Sequence, residues 1–255
     1  MDNETARNRA ILLFEYGSRA HGTDTVDSDS DFMGISVEPV EYVLGLKSWD
    51  SSIMNTAANN VRSAASDVDT TIYSLKKWAA LAAKGNPTVL TALFAPKYEV
   101  MTTMGRVILD NGDLFIHKEA GYRFAGYMHS QREALLGKRN KRTNRPELVH
   151  KHGYDTKFAY HMMRLGLQGQ ELMKTGRLEL PMREGEREYL RSIRNGEVNK
   201  TQLLKFSDVV ERNLVEAIEK SHLPEHADMD SINKMLEYIY VQTWKEDKHV
   251  AERTA

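Results

Sequence analysis

Asp29 and Asp31 stand one residue apart and follow a Gly17-Ser18 pair after ten intervening residues. On a strand, side chains alternate, so both carboxylates emerge on the same side. Two carboxylates held that close repel each other and shift in pKa unless a cation lies between them. Hard oxygen donors at this spacing suit Mg²⁺ or Mn²⁺, which then bridge substrate phosphates. Gly17 lets a backbone approach a phosphate closely, and Ser18 offers a hydroxyl and an N–H to phosphate oxygens. Asp67-Val68-Asp69 repeats the one-apart pattern further along. Either of its acids can complete a metal-binding triad, and a third carboxylate near a reacting hydroxyl doubles as a general base.

Such a constellation needs strands to hold it, and the local patterns supply them. Ala10 to Tyr16 (AILLFEY) is a short apolar run ended by Gly17-Ser18 and reads as a buried strand. A turn-rich stretch from His21 to Ser28 follows, in which Asp24 and Asp27 read as turn residues. Phe32 to Val37 is a second strand, stopped near Pro39, and residues 47–66 read as a loop or a pair of irregular hairpin strands. Val68 to Tyr73 is β-branched and alternating, a third strand, and Ser74 caps a helix from Leu75 to about Lys84. Beyond residue 115 the pattern turns helical, with helices expected near 119–137, 155–174, 184–193, 201–221 and 229–247. Neither an internal repeat nor a low-complexity segment interrupts the chain. The expected fold is α+β: a small mixed β-sheet domain with flanking helices over residues 1–115, then a helical domain over 116–255.

Composition narrows the chemistry. The 255 residues are 41% hydrophobic and 28% charged, ordinary values for a globular protein. Without cysteine, disulfides, thiolate zinc sites, iron–sulfur clusters and cysteine nucleophiles are excluded. No apolar run approaches the ~20 residues that span a bilayer, and Met1-Asp2-Asn3-Glu4 is unlike a secretory leader. The expected setting is the cytoplasm. The formal charge of -1 excludes indiscriminate bulk-charge binding to nucleic acid. It conceals an uneven layout, with 10 Lys/Arg and 15 Asp/Glu in residues 1–115 but 14 and 6 in residues 116–183.

The basic middle has internal order. Lys138 to Arg145 holds five positive charges and no acid, either a solvated surface run or an electrostatic lip for polyphosphate or RNA. No aromatic interleaves it to stack bases. In the helix from about Asp155, Lys157, His161 and Arg164 share one face, while Phe158, Met162 and Leu165 form an apolar stripe. His150 and His152 with His161 make a poor zinc set, because no fourth ligand accompanies them. Glu184 to Glu188 and the alternating charges beyond read as exposed helix. Ile232, Met235, Leu236, Ile239 and Tyr240 form an apolar stripe suited to packing.

The stretch from Tyr16-Gly17-Ser18-Arg19-Ala20-His21-Gly22 through Ser28-Asp29-Ser30-Asp31-Phe32 resembles the signature of the polymerase beta-type nucleotidyltransferase superfamily. With the later LKKWAALAAKGNPTVLTALFAP and KHGYDTKFAYHMMRL segments, it is similar to a bacterial and phage family of predicted nucleotidyltransferases, across most of residues 12–200. Ser30 departs from the superfamily, which usually has an apolar residue there. The resemblance implies a palm-like catalytic domain and a helical domain that closes the nucleotide cleft. It makes Asp29, Asp31 and Asp69 the ligands of a two-metal Mg²⁺ or Mn²⁺ site, with Asp67 the competitor for third place. It gives Gly17, Ser18 and Arg19 to the triphosphate, and Lys151, Lys157 and Arg164 to the nucleotide. The implied reaction moves an NMP from an NTP to an acceptor hydroxyl. The basic middle favours an RNA 3′ end as acceptor, with a small molecule or a protein as the alternatives. A non-catalytic nucleotide-binding regulator, such as a toxin–antitoxin partner, and a phosphoester hydrolase are the competing readings.

Overall fold

In chain order, the computed structural model forms α1 (Asn3–Asn8), β1 (Ala10–Tyr16), the single turn α2 (Gly17–Ala20), β2 (Ser30–Ser36), α3 (Val40–Val43), β3 (Ser51–Asn55) and β4 (Val68–Ser74). There follow α4 (Leu75–Ala82), α5 (Pro87–Leu90), β5 (Val100–Met101), α6 (Thr103–Asp110) and α7 (Lys118–Leu135). The chain ends with α8 (Pro146–His152), α9 (Thr156–Thr175), α10 (Glu184–Arg194), α11 (Lys200–Glu219) and α12 (Met229–Thr254). The structure describes residues 1–26, 28–56, 67–138 and 145–254, with side chains through Lys248. Asp27 and most of the basic run from Lys138 to Arg145 lie outside the described residues.

The five strands make one mixed sheet in the order β3-β4-β2-β1-β5. β1 runs antiparallel to β2 and β5, β3 antiparallel to β4, and β2 parallel to β4. The strands form because Ala10–Phe14 and Met33–Ser36 are continuous apolar or small runs that bury almost completely. β4 instead alternates, burying Thr70, Ile72 and Ser74. Ser74 then stops the strand and caps α4, its hydroxyl accepting from the Lys77 N–H at 3.0 Å. α4 buries Leu75, Trp78, Ala79 and Ala82. The Trp78 indole donates to the Val89 carbonyl at 3.2 Å and meets Phe115 edge-on at 5.1 Å.

The chain divides into two compact units: Met1–Ala83, Val89–Phe115 and Ala227–Ala255 form unit 1, and Lys84–Thr88 with Ile116–His226 form unit 2. α12, which lies within the expected 116–255 helical domain, packs with the sheet unit, against α4 and α6. Its stripe Ile232, Met235, Ile239 and Tyr240 is buried there. Polar contacts fix the position. Glu38, only 3% exposed, accepts from the Tyr240 hydroxyl at 2.9 Å and from the Leu75 N–H at 3.2 Å. The Trp244 indole donates to the Glu38 carbonyl at 2.8 Å. Burial raises the Glu38 carboxyl above its ordinary pKa, against these donors, which lower it.

Unit 2 is built round α9, against which α7, α10 and α11 pack. Asp155 caps α9, accepting from the N–H groups of Lys157 and Phe158, and is held in turn by Arg145 at 2.8 Å. Gly166 permits the close helix approach: a Cβ there meets the Val210 Cγ1 at 2.5 Å. α8 was not expected from the sequence; Pro146 opens it and Gly153, at a left-handed φ of 77°, ends it.

Candidate active site

Two paired strands, β2 and β4, deliver the acids, and β1 sets Tyr16 beside them. Tyr16 on β1 lies opposite Asp31 on β2, and Asp31 lies beside Asp69 on β4, so the three form one row across the sheet. Asp29, two residues before Asp31, reaches the same side. One carboxylate oxygen from each of Asp29, Asp31 and Asp69 lies within 4.8 Å of the others. Among the described residues this is the one cluster of three or more His, Asp or Glu able to hold a metal. The acids are half-buried.

Register places Asp67 and Asp69 differently. The Asp67 carboxylate accepts from the Thr56 hydroxyl at 3.3 Å, and its carbonyl accepts from the Ser30 N–H at 3.1 Å. It braces the loop. Asp69 points into the cluster, and its Oδ1 is buried with no hydrogen-bond partner among the described residues. A buried oxygen without a donor is costly, and a cation is what its surroundings fit. Burial raises the Asp69 carboxyl above its ordinary pKa, and the charges of Asp29 and Asp67 raise it further. Tyr16 is pushed well above the usual phenol range by burial, then by its acidic neighbours, Asp31 foremost. It stays a neutral phenol beside the acids, and the sequence reading missed it; its only signal was its place one residue before Gly17-Ser18.

The turn after β1 serves the same row. Gly17 has a φ of +71°, which L side chains rarely adopt, and a Cβ there meets the Asp31 Oδ2 at 2.4 Å. Gly17 thus lets the Asp31 carboxylate come close to the backbone of the turn. Ser18 follows, half-buried, in the first turn of α2. Arg19, expected on phosphates, donates from Nε to the Asp29 carbonyl at 3.3 Å and from Nη2 to the Ser28 carbonyl at 3.1 Å. With Glu15 at 3.5 Å on its other side, Arg19 pins the loop that carries Asp29.

The remaining expected residues belong to unit 2. Lys151 on α8 and Lys157 in the first turn of α9 are exposed, and Arg164 is half-buried with Nη1 donating to the Gln168 Oε1 at 2.8 Å. Burial, then the charges of Arg164, Lys157, Arg145 and Arg194, holds His161 neutral, its pKa well below the ordinary imidazole value. Arg194, on α10, was absent from the sequence reading; its guanidinium lies 5.3 Å from the centre of the Tyr160 ring.

The mixed sheet, the Gly-Ser turn after β1 and the carboxylates at β2 and β4 form the arrangement expected of the polymerase beta type. More particularly, the chain belongs to the RNA repair pathway DNA polymerase beta family, RlaP, whose sequence profile matches residues 3–238. It is also similar to an uncharacterized 38.9 kDa protein from the nrdC-mobD intergenic region of Enterobacteria phage T4. The two are 32% identical over 88 residues, which span 34% of this chain and 26% of the phage protein. Among solved structures, a nucleotidyltransferase-like protein from Exiguobacterium sibiricum is similar at a TM-score of 0.32 and 9% identity, over 85% of this chain and 71% of that one. No helix among the described residues is long and apolar enough to cross a membrane.

Proposed function

We propose that the chain transfers a nucleoside monophosphate from an NTP to the 3′ hydroxyl of an RNA strand, with Asp29, Asp31 and Asp69 holding two Mg²⁺ or Mn²⁺ ions. The observation that carries this reading is the triad itself: three acids on two paired strands, with ligand oxygens within 4.8 Å and the Asp69 Oδ1 lacking a donor among the described residues. Bound divalent ions would supply charge neutralisation of the triphosphate and acidify the acceptor hydroxyl. The acceptor oxygen attacks the α-phosphorus, the bond from that phosphorus to the bridging oxygen of the β-phosphate breaks, and pyrophosphate leaves with the electron pair. The Asp69 carboxylate takes the proton of the hydroxyl. Asp31 is kept in place by the side-chain-free Cα of Gly17, and Asp29 by Arg19. Ser18 contacts the triphosphate, and Lys151, Lys157 and Arg164 are the cations this reading assigns to it. An NTP-consuming reaction of this kind belongs in the cytoplasm, that of a host cell if the chain is viral.

The test is Mg²⁺- or Mn²⁺-dependent labelling of total RNA by each α-³²P NTP, with Asp29→Ala/Asp31→Ala as control. Labelling by the native chain that the double variant loses is the expected result. Undiminished labelling by the variant refutes the mechanism. NTP binding without turnover on any acceptor points instead to a nucleotide-binding regulator, and phosphate release to water alone points to a hydrolase.

A further inference from the structure

The second helix of unit 2's cationic side carries a pattern that the transfer chemistry leaves unused. In α10, Arg187, Arg191 and Arg194 fall at i, i+4 and i+7 and so share one face. α10 runs antiparallel to α9, because Arg183 near its start pairs with Glu171 at 3.2 Å while Arg194 at its end reaches Tyr160. The end of the arginine face, at Arg194, thereby reaches the first half of α9, the part that also bears Lys157, His161 and Arg164. The acids of α10 gather in its first half, at Glu184, Glu186 and Glu188, and the next acid after them is Glu197.

Compensation of the helix dipole accounts for cations in a last turn, which covers Arg191 and Arg194. It does not account for Arg187, which sits mid-helix, half-buried, with its Nε buried and lacking a hydrogen-bond partner among the described residues. Nor does it account for Arg194 crossing to α9, where its guanidinium lies over the Tyr160 ring. Arg187 and Arg194 are two helical turns apart, about 10 Å along the axis. A nucleic-acid strand carries a phosphate every ~3.4 Å of helix axis, so it presents several phosphates over that length.

We propose that the α10 face is a seat for the phosphate backbone of the RNA acceptor, with Arg187, Arg191 and Arg194 contacting successive phosphates. The identity of the strand as the acceptor rests on the transfer reading above; the seat itself does not. Because the contacts are to phosphates, the seat is indifferent to sequence.

Fluorescence anisotropy of a labelled single-stranded RNA 12-mer tests this on the intact chain, titrated at several salt concentrations, with a fluorescent ATP analogue titrated in parallel. Each phosphate contact to a single strand adds about 0.7 to the slope of log K against log salt. Arg187→Gln/Arg191→Gln/Arg194→Gln is expected to lower that slope by about 2 and to leave ATP-analogue binding unchanged. Arg191→Glu, at an exposed position, is expected to weaken RNA binding alone and guards against misfolding of the triple variant. No binding of the 12-mer by the native chain, or native affinity and slope in both variants, overturns the proposal. Parallel loss of the ATP analogue overturns it too, and moves the arginines to the triphosphate. Asp29→Ala/Asp31→Ala keeps the strand bound if the seat is real. RNA binding with the expected slopes but no labelling therefore sinks the transfer reading and leaves the seat standing.

Discussion

Replacing Asp69 by Asn should reverse in sign with metal. Three carboxylate oxygens within 4.8 Å of one another repel. Coulomb's law gives about 0.9 kcal/mol per pair at that distance in bulk water and about 3.5 kcal/mol at an effective dielectric of 20. The acids are half-buried, and solvent reaches them, so the low end of that range applies. Asp69→Asn removes two such pairs and keeps the side-chain volume. Without metal, the variant should gain about 1–2 kcal/mol, an apparent Tm higher by about 2–8 °C for a chain of this size. With metal at a hundred times its Kd, the native chain gains about 2.7 kcal/mol, and a variant lacking one ligand gains far less. The two melting curves should therefore cross: variant above native in EDTA, below it in saturating Mn²⁺. Scanning calorimetry in the two buffers reads the crossing. A variant less stable than native in EDTA, or one that gains as much from Mn²⁺, refutes the claim that these three acids repel one another and share a cation.

Three other outcomes follow from the same geometry. Gly17→Ala places a side chain at a left-handed φ and drives its Cβ into Asp31; it should cost about 1–2 kcal/mol in a denaturant titration and weaken Mn²⁺ binding by more than that loss explains. Asp69 titrates above the ordinary 3.8, so the folded protein holds a proton that the unfolded chain has released. Its contribution is full below that value and lost as pH climbs through the raised one; metal-free native protein should thus lose stability relative to Asp69→Asn as pH rises from about 4, read as a Tm difference. Glu38→Ala leaves the Tyr240 hydroxyl and the Leu75 N–H without their acceptor and should cost about 2–4 kcal/mol at neutral pH, whereas Glu38→Gln keeps an acceptor oxygen and should cost about 1 kcal/mol or less, by urea unfolding.

What could be read from the sequence was local. Asp29 and Asp31 share a side because strand alternation is a two-residue property, and the Gly17 turn is audible in a glycine that ends an apolar run. The choice between Asp67 and Asp69 was not local. It depends on the parallel register that sets Asp69, and not Asp67, beside Asp31, across a connection of more than thirty residues. The stripe of α12 announced burial without saying against what, and the answer lies 202 residues away in the contact between Tyr240 and Glu38. α10 looked like an exposed helix because its acids and arginines alternate in sequence. Only its antiparallel packing on α9 brings Arg194 to Tyr160.

That packing also changes what the formal charge of -1 means. Counted over the two units, unit 1 carries 13 Lys/Arg and 21 Asp/Glu, a net of -8, while unit 2 carries 22 and 15, a net of +7. α12, with its acids, falls to the sheet unit, so the separation is sharper than any single cut of the chain near residue 115 shows. An acidic unit repels both a triphosphate and an RNA backbone until cations neutralise its carboxylates, so its affinity for either must be metal-dependent. A unit at +7 needs no metal to attract a phosphate backbone, and its affinity must instead fall steeply with salt. The two dependences are therefore separable in one protein. Chelating the metal should abolish transfer while leaving most strand binding, and raising the salt should release the strand without emptying the carboxylate site.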